Sequence, residues 1–217
     1  MVEKNKDYDV EILDLGIEGE GITKINGYTL FVKGVLKGEE AKVKVLKVNK
    51  DYGFAKLVKI NKESADRETP MCKYFDKCGG CDLQHMNYET SLNLKTNIVK
   101  NTIKKTLGHD VKVNDIIGMG IPYHYRNKAQ YPVRDGKIGL YRNLSHDLIE
   151  NDECLIQNPK TDSIARIAFD ILKKNKINTY DEKTGKGVLR HIVTRVGVNT
   201  GESMLVIITN GEELKNK

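Results

Sequence analysis

The chain has 217 residues, carries a formal net charge of +6 from 36 Lys and Arg against 30 Asp and Glu, and contains no Trp. Its start, MVEKNKDYDVEI, lacks the apolar stretch of a secretory leader, and no run approaches the roughly 20 apolar residues of a membrane span. These features predict a cytoplasmic, non-membrane protein in a reducing compartment where structural disulfides are rare. The excess of cations favours a polyanion as partner.

Residues 8–60 alternate as short β-strands: YDVEILDL, GEGITKI, YTLFVKG, EEAKVKVLKV and YGFAKLVKI. Asn26-Gly27 is a dipeptide favoured in two-residue hairpin turns. Five short strands in so few residues fit a small closed or nearly closed OB-like barrel, with a sandwich as competitor. The segment NKESADRETPM, ending near Pro70, reads as a linker. SLNLKTNIVKNTIKKTLG then has helical spacing, with Leu94 and Ile98 four apart, Val99, Ile103 and Leu107 following suit, and Gly108 placed to end it. The intervening Lys95, Lys100, Lys104 and Lys105 read first as a solvated face.

From Tyr123 to Glu150 the pattern returns to strands, with Asp135-Gly136 marking a hairpin. In NPKTDSIARIAFDILKK, Asn158 is a candidate N-cap and Pro159 the first helical residue. Ile164, Ile167, Ala168, Ile171 and Leu172 give the predicted apolar stripe. GVLRHIVTRVGV and SMLVIIT are two further strands. The predicted fold class is mixed β and α+β: a small barrel, then an α+β domain with a mainly antiparallel sheet.

The chemistry concentrates in four cysteines. Cys72, Cys78 and Cys81 fall within CKYFDKCGGC, and Cys154 lies far downstream in NDECLIQ. A C-x5-C-x2-C loop completed by a distant fourth thiol reads as a metal or iron–sulfur site. Gly79 and Gly80 allow the backbone to wrap a bulky core and bring N–H groups near sulfur. A four-thiolate zinc site needs the same ligands, although zinc usually sits between two C-x2-C knuckles and only one such pair exists here. Unligated thiols or two disulfides are the remaining alternatives.

Two segments carry a family resemblance. GEGITKINGYTLFVKGVLKGEEAKVKV resembles a TRAM domain, an OB-like RNA-binding barrel. CKYFDKCGGCDLQHMNYE, followed by HYRNKAQYPVRDGKIGLYRNLSHDLIENDEC, resembles the TRAM-containing bacterial S-adenosylmethionine-dependent RNA (uracil-5-)-methyltransferases that carry a [4Fe–4S] cluster and act on 23S ribosomal RNA. The resemblance runs from residue 8 to the end. It implies cluster ligands at Cys72, Cys78, Cys81 and Cys154. It also implies a TRAM barrel over 1–61, a cluster-bearing central α+β domain over 62–83 and 118–217, and a helical segment over 84–117 that would pack on a catalytic domain. In the family a Rossmann-like domain binds S-adenosylmethionine, and a cysteine there attacks a flipped uracil. This chain reaches NGEELKNK without a glycine-rich donor loop or a spare cysteine: GIEGEG at residues 16–21 lies among strands and opens no helix. The expectation is therefore the RNA-recognition and cluster-bearing part of such an enzyme, inactive by itself, with the methyl donor needed only in the full-length protein.

Candidate RNA contacts follow from basic and aromatic side chains in strand-like stretches. They are Arg126, Lys128, Gln130, Tyr141, Arg142 and His146 in the central domain, with Arg134 nearby, and Phe31 and Lys33 in the barrel, with Lys24 nearby. Arg190, His191 and Arg195 form a weaker second group. The ordinary alternatives are a solvated sheet face for the cations and a core position for Phe31. No obligate protein partner is indicated. A stand-alone RNA-binding module with a structural iron–sulfur or zinc site is the main alternative function, and a zinc-ribbon-like bridging protein the third.

Overall fold

The computed structural model describes residues 2–211. They divide into two compact units: those up to Met71 together with Asp82–Gly118, and Cys72–Cys81 together with those from Met119 onward. The helical segment thus groups with the barrel, and the first three cysteines group with Cys154.

The first unit is a six-stranded sheet of β1 (Asp7–Glu11), β2 (Asp14–Leu15), β3 (Gly21–Ile25), β4 (Tyr28–Lys33), β5 (Glu40–Val48) and β6 (Tyr52–Lys62). The strand order is β1-β5-β6-β4-β3-β2, antiparallel throughout except for the parallel pair β4–β6. The sheet curls until its ends meet: Leu13 N–H donates to Ile22 O at 2.8 Å and Thr23 Oγ1 to Glu11 O at 2.7 Å. Alternation decides which side chains fill the lumen. Ala41, Val43 and Val45 of β5 point in with Val10, Ile12, Leu30, Val32 and Val35, while Lys42 and Lys44 point out. The Asn26-Gly27 turn has φ of 49° and 85°, the left-handed pair that joins twisted strands, and Ile25 pairs with Tyr28 across it. The first predicted strand is two: Ile12 turns inward with no exposure, and its N–H goes to Glu39 O rather than to a continuing ladder.

Helix α1 (Tyr88–Leu107) starts where Asn87 Oδ1 accepts the Thr90 N–H at 2.8 Å and ends at Gly108 with φ 77°. Ser91 is its single buried residue, and Val99 and Leu107 are about half exposed.

The second unit is an antiparallel sheet ordered β11-β10-β7-β8-β9. It contains β7 (Lys128–Arg134), β8 (Lys137–Tyr141), β9 (Leu148–Glu150), β10 (Leu189–Val196) and β11 (Ser203–Thr209), with α2 (Pro159–Lys174) packed on one face. Asn158 caps α2, and Asp135-Gly136 closes the β7–β8 hairpin with φ of 51° and 68°. The buried stripe of α2 differs from the predicted one. Ala165, Ala168, Phe169 and Leu172 face the sheet, while Ile167 and Ile171 are 61% and 56% exposed. Tyr131 Oη donates to Asp162 Oδ1 at 2.6 Å, and Thr194 Oγ1 to Thr161 O at 3.0 Å. These two bonds fix the rotation of the helix, and the small Ala165 and Ala168 let it lie close to the strands.

Candidate RNA interface and cysteine loop

On β7 the alternation places Lys128 and Gln130 on the face away from α2, with Ala129 and Tyr131 in the core. Arg195 of β10 is the register partner of Lys128 and is likewise exposed, so two cations stand side by side on that face. Arg126 lies just before β7 and is exposed. Its backbone is held between Ile156 and Asn158: its N–H goes to Ile156 O at 2.9 Å, and its O accepts from Asn158 N–H at 2.8 Å. Arg134 is otherwise engaged. Its guanidinium spans His146 O at 2.9 Å and Glu182 at 2.7 Å, bracing the loop ends of the sheet. Arg190 stacks over the Tyr180 ring at 4.6 Å, and burial, then the neighbouring Arg190, pushes the His191 imidazole below its usual value. Arg190 therefore has a local structural partner.

Tyr141, Arg142 and His146 share the turn after β8. The Tyr141 and His146 rings are 5.4 Å apart and tilted, and Arg142 is exposed. This turn carries the cysteine loop. Gly79 N–H donates to Tyr141 O at 3.0 Å, and Cys78 bridges Arg142 in antiparallel fashion. Glycine suits the approach, since a Cβ at residue 79 would stand 3.0 Å from Asn143 Cα and 3.3 Å from Tyr141 O, close enough that the turn would have to give way by a few tenths of an ångström.

A second attachment joins the loop to the Cys154 segment. Tyr74 Oη donates to Asp152 Oδ1 at 2.6 Å, and Lys73 Nζ pairs with Asp152 Oδ2 at 2.7 Å. These two partners, Lys73 foremost, pull the Asp152 carboxyl down to about 2.

All four cysteines are half-buried thiols with no disulfide. Cys78 lies within electrostatic reach of both Cys72 and Cys154. Burial pushes the Cys78 thiol up, partly offset by a Gly80 N–H at 3.4 Å and by the Arg126 charge. Burial likewise raises Cys154, against N–H groups of Ile156 and Gln157 that point at its sulfur. Main-chain N–H groups on sulfur favour thiolate and metal-bound sulfur alike. As a donor set, four thiols, two of them (Cys78 and Cys154) with such groups, suit an iron–sulfur centre. Among the described residues, no three His, Cys, Asp or Glu side chains are gathered closely enough to hold a single metal ion.

In the barrel, Phe31 is not a lumen residue. Leu30 and Val32 point in, and Phe31 and Lys33 point out. The structure adds two rings that the sequence pattern did not single out, Tyr52 and Phe54, each 5.8 Å from Phe31 and 5.6 Å from one another between centroids. The signal was in YGFAK: aromatic residues two apart, alternating with Gly53 between them and Ala55 after them, small residues that suit the tight interior of a small barrel.

Known proteins bear on both units. Residues 2–58 match the TRAM domain family model, so the barrel is a TRAM domain. Over all of its length the chain is similar to proteins named as RNA methyltransferases. It is 44% identical to one from Clostridium tetani and to one from Clostridium acetobutylicum, and 43% identical to one from Listeria innocua. It covers 48–49% of them, so it spans about half the length of these curated relatives. Its fold matches that of the Pyrococcus abyssi tRNA (uracil-54, C5)-methyltransferase solved with S-adenosyl-L-homocysteine. The TM-score is 0.70 at 24% identity, over 95% of this chain and 47% of that one. No described helix is long and apolar enough to cross a membrane.

Proposed function

We propose that this chain is the RNA-recognition and iron–sulfur portion of a cytoplasmic, S-adenosylmethionine-dependent RNA (uracil-5-)-methyltransferase whose substrate is 23S ribosomal RNA. The observation that carries the reading is the full-length similarity to RNA methyltransferases of about twice its length. Exposed cations at Arg126, Lys128 and Arg142 support it, with Gln130, Tyr141 and His146 beside them to meet bases. The fold shared with a uracil-C5 methyltransferase supports the target atom.

In this reading, methyl transfer belongs to the part of the longer protein that this chain does not include, and the chain alone is inactive. The half-covered α1 segment, 84–117, packs on that part. Cys72, Cys78, Cys81 and Cys154 would hold a [4Fe–4S] cluster. The cluster would tie the loop at 72–81 to the segment around Cys154 and so fix the turn that presents Arg142 and His146.

The test uses a structured 23S ribosomal RNA fragment. Reversing charge at Arg126, Lys128 and Arg142 should abolish binding at low salt without unfolding the chain, and the salt dependence should become shallower by about one unit of slope per phosphate no longer neutralised. Unchanged affinity overturns the assignment. In the full reading frame the same variant should lose uridine methylation. Separately, protein purified without oxygen should be brown, with about four iron and four sulfide per chain. A colourless protein holding one zinc overturns the cluster assignment while leaving the RNA assignment standing.

A further inference from the structure

The outside of the barrel carries three aromatic rings where a strand surface facing water ordinarily carries polar groups. Phe31 of β4 and Phe54 of β6 are register partners in the parallel pair, with centroids 5.8 Å apart. Tyr52, two residues earlier on β6, meets both edge-on at 5.8 and 5.6 Å. Tyr52 and Phe54 are each 42% exposed. Their outward direction is forced by the residues between and beside them. Gly53 is buried, and a Cβ there would stand 2.6 Å from Lys47 O and 2.9 Å from the Leu30 side chain, while Ala55 faces the lumen.

Cross-strand ring packing stabilises a sheet, and it accounts for the three rings meeting. It does not account for the area they leave open to water or for the charge around them. Lys33 and Lys56 are register partners two residues beyond Phe31 and Phe54, Lys47 is opposite Phe54 on β5, and Lys24 is opposite Thr29 on β3. Among the described residues, Lys33 stands 3.8 Å from Asp82, and no carboxylate pairs with Lys24, Lys47 or Lys56. Further round the barrel the pattern differs: Lys42 and Lys44 face Asp9 and Asp7 in register. Uncompensated positive charge is therefore gathered at the rim of the aromatic patch.

We propose that Phe31, Tyr52 and Phe54 form a stacking platform for the bases of an unpaired RNA segment, whose phosphates run over Lys24, Lys33, Lys47 and Lys56. This rests on the reading of the chain as RNA-binding and narrows it to a strand without secondary structure at this site. In a duplex the bases are already stacked and the ring faces gain nothing from them. A single strand can splay its bases onto the rings, and it does so with little regard to sequence because every base presents a π-face.

The experiment measures binding of the full chain to a labelled oligoadenylate of about twelve nucleotides, within the span of such barrels, and to an RNA duplex of the same length, across a salt series. Tyr52→Thr with Phe54→Thr keeps β-branched residues in the strand. It should weaken the single strand by about tenfold to a hundredfold, leave the salt slope unchanged, and spare the duplex. Lys47→Gln with Lys56→Gln should instead shallow the slope by about 0.7 for each phosphate that loses its cation. Should the double Thr variant fail to fold, Phe54→Trp and Phe54→Leu decide: Trp keeps or raises affinity for the single strand, and Leu, apolar without a ring, lowers it. Unchanged single-strand affinity in the ring variants, or equal loss on strand and duplex, overturns the platform. If at the same time the Arg126/Lys128/Arg142 variant loses ribosomal RNA, the broader RNA reading stands without it. If the parent chain binds neither oligonucleotide nor ribosomal RNA, both fall together.

Discussion

Each of the two units has to hold an irregular segment against a sheet, and each does so with a carboxylate, in opposite surroundings. In the barrel unit, Glu39 is fully buried. Its oxygens accept from Arg67 Nε at 2.6 Å and Nη2 at 2.8 Å, and from the N–H groups of Leu36 and Ser64, so the segment after β6 is fastened down by a satisfied, desolvated ion pair. In the sheet unit, Asp152 fastens the cysteine loop through Lys73 and Tyr74, yet its side chain is 66% exposed and Lys73 is 57% exposed. Burial makes the first pair costly to break. Solvent makes the second a weak clasp. The barrel is thus ordered by its own packing, whereas the cysteine loop is held lightly enough that a ligand for its thiols would decide its rigidity.

The sharpest way to break this contrast is at Arg67. Replacing it by Met leaves Glu39 buried without its counter-ion, a defect worth about 3–5 kcal/mol, to be read from denaturant unfolding of the barrel. The pH dependence gives a second view of the same bond. Burial alone would raise the Glu39 carboxyl, but Arg67 and the two N–H groups outweigh it and hold the group below its usual 4.5. A lowered folded value means that the stabilisation is present above the unfolded value and is lost as pH falls through the folded one. The parent barrel should therefore weaken on acidification below about pH 4.5, and the Met variant, whose Glu39 is better off protonated, should not show that loss. Equal stability of the two proteins at neutral pH would remove the distinction between the units.

How much of this was legible beforehand depended on sequence distance. Local chemistry read well. Asn26-Gly27 and Asp135-Gly136 are hairpin turns, Asn158-Pro159 opens α2, and Gly108 closes α1, because each signal is set by the backbone preferences of one or two residues. Contacts between distant residues did not read. Glu39 and Arg67 lie 28 positions apart with nothing in either neighbourhood to announce a pair. The rotation of α2 is set by Tyr131 reaching Asp162, and so Ile167 and Ile171, apolar and helically spaced, stand in solvent. At the candidate sites, the C-x5-C-x2-C loop was visible as spacing. Its docking on the Tyr141–Arg142 turn through Gly79, and its tie to Asp152, appear only when the loop and the sheet are seen together.

The smaller effect, at Asp152, sharpens the comparison from the other side. Asp152→Asn keeps the size of the side chain but removes the charge that holds Lys73 and weakens the acceptor for the Tyr74 hydroxyl. Global stability should change little, because the pair is exposed. Amide exchange over residues 74–81 should speed up, since the loop then loses the clasp at Lys73 and Tyr74 and keeps the Gly79–Tyr141 bond and the Cys78–Arg142 bridge. The informative measurement is the same exchange with and without metal and sulfide restored under anaerobic conditions. If thiol ligation governs the loop, the variant should exchange faster only in the unloaded protein, and loading should bring it back to the parent rate. Acceleration that persists after loading would mean that the Asp152 clasp, rather than the four sulfurs, sets the order of the loop. Acceleration that spread to β4 and β6 would mean that the two units do not hold their segments independently.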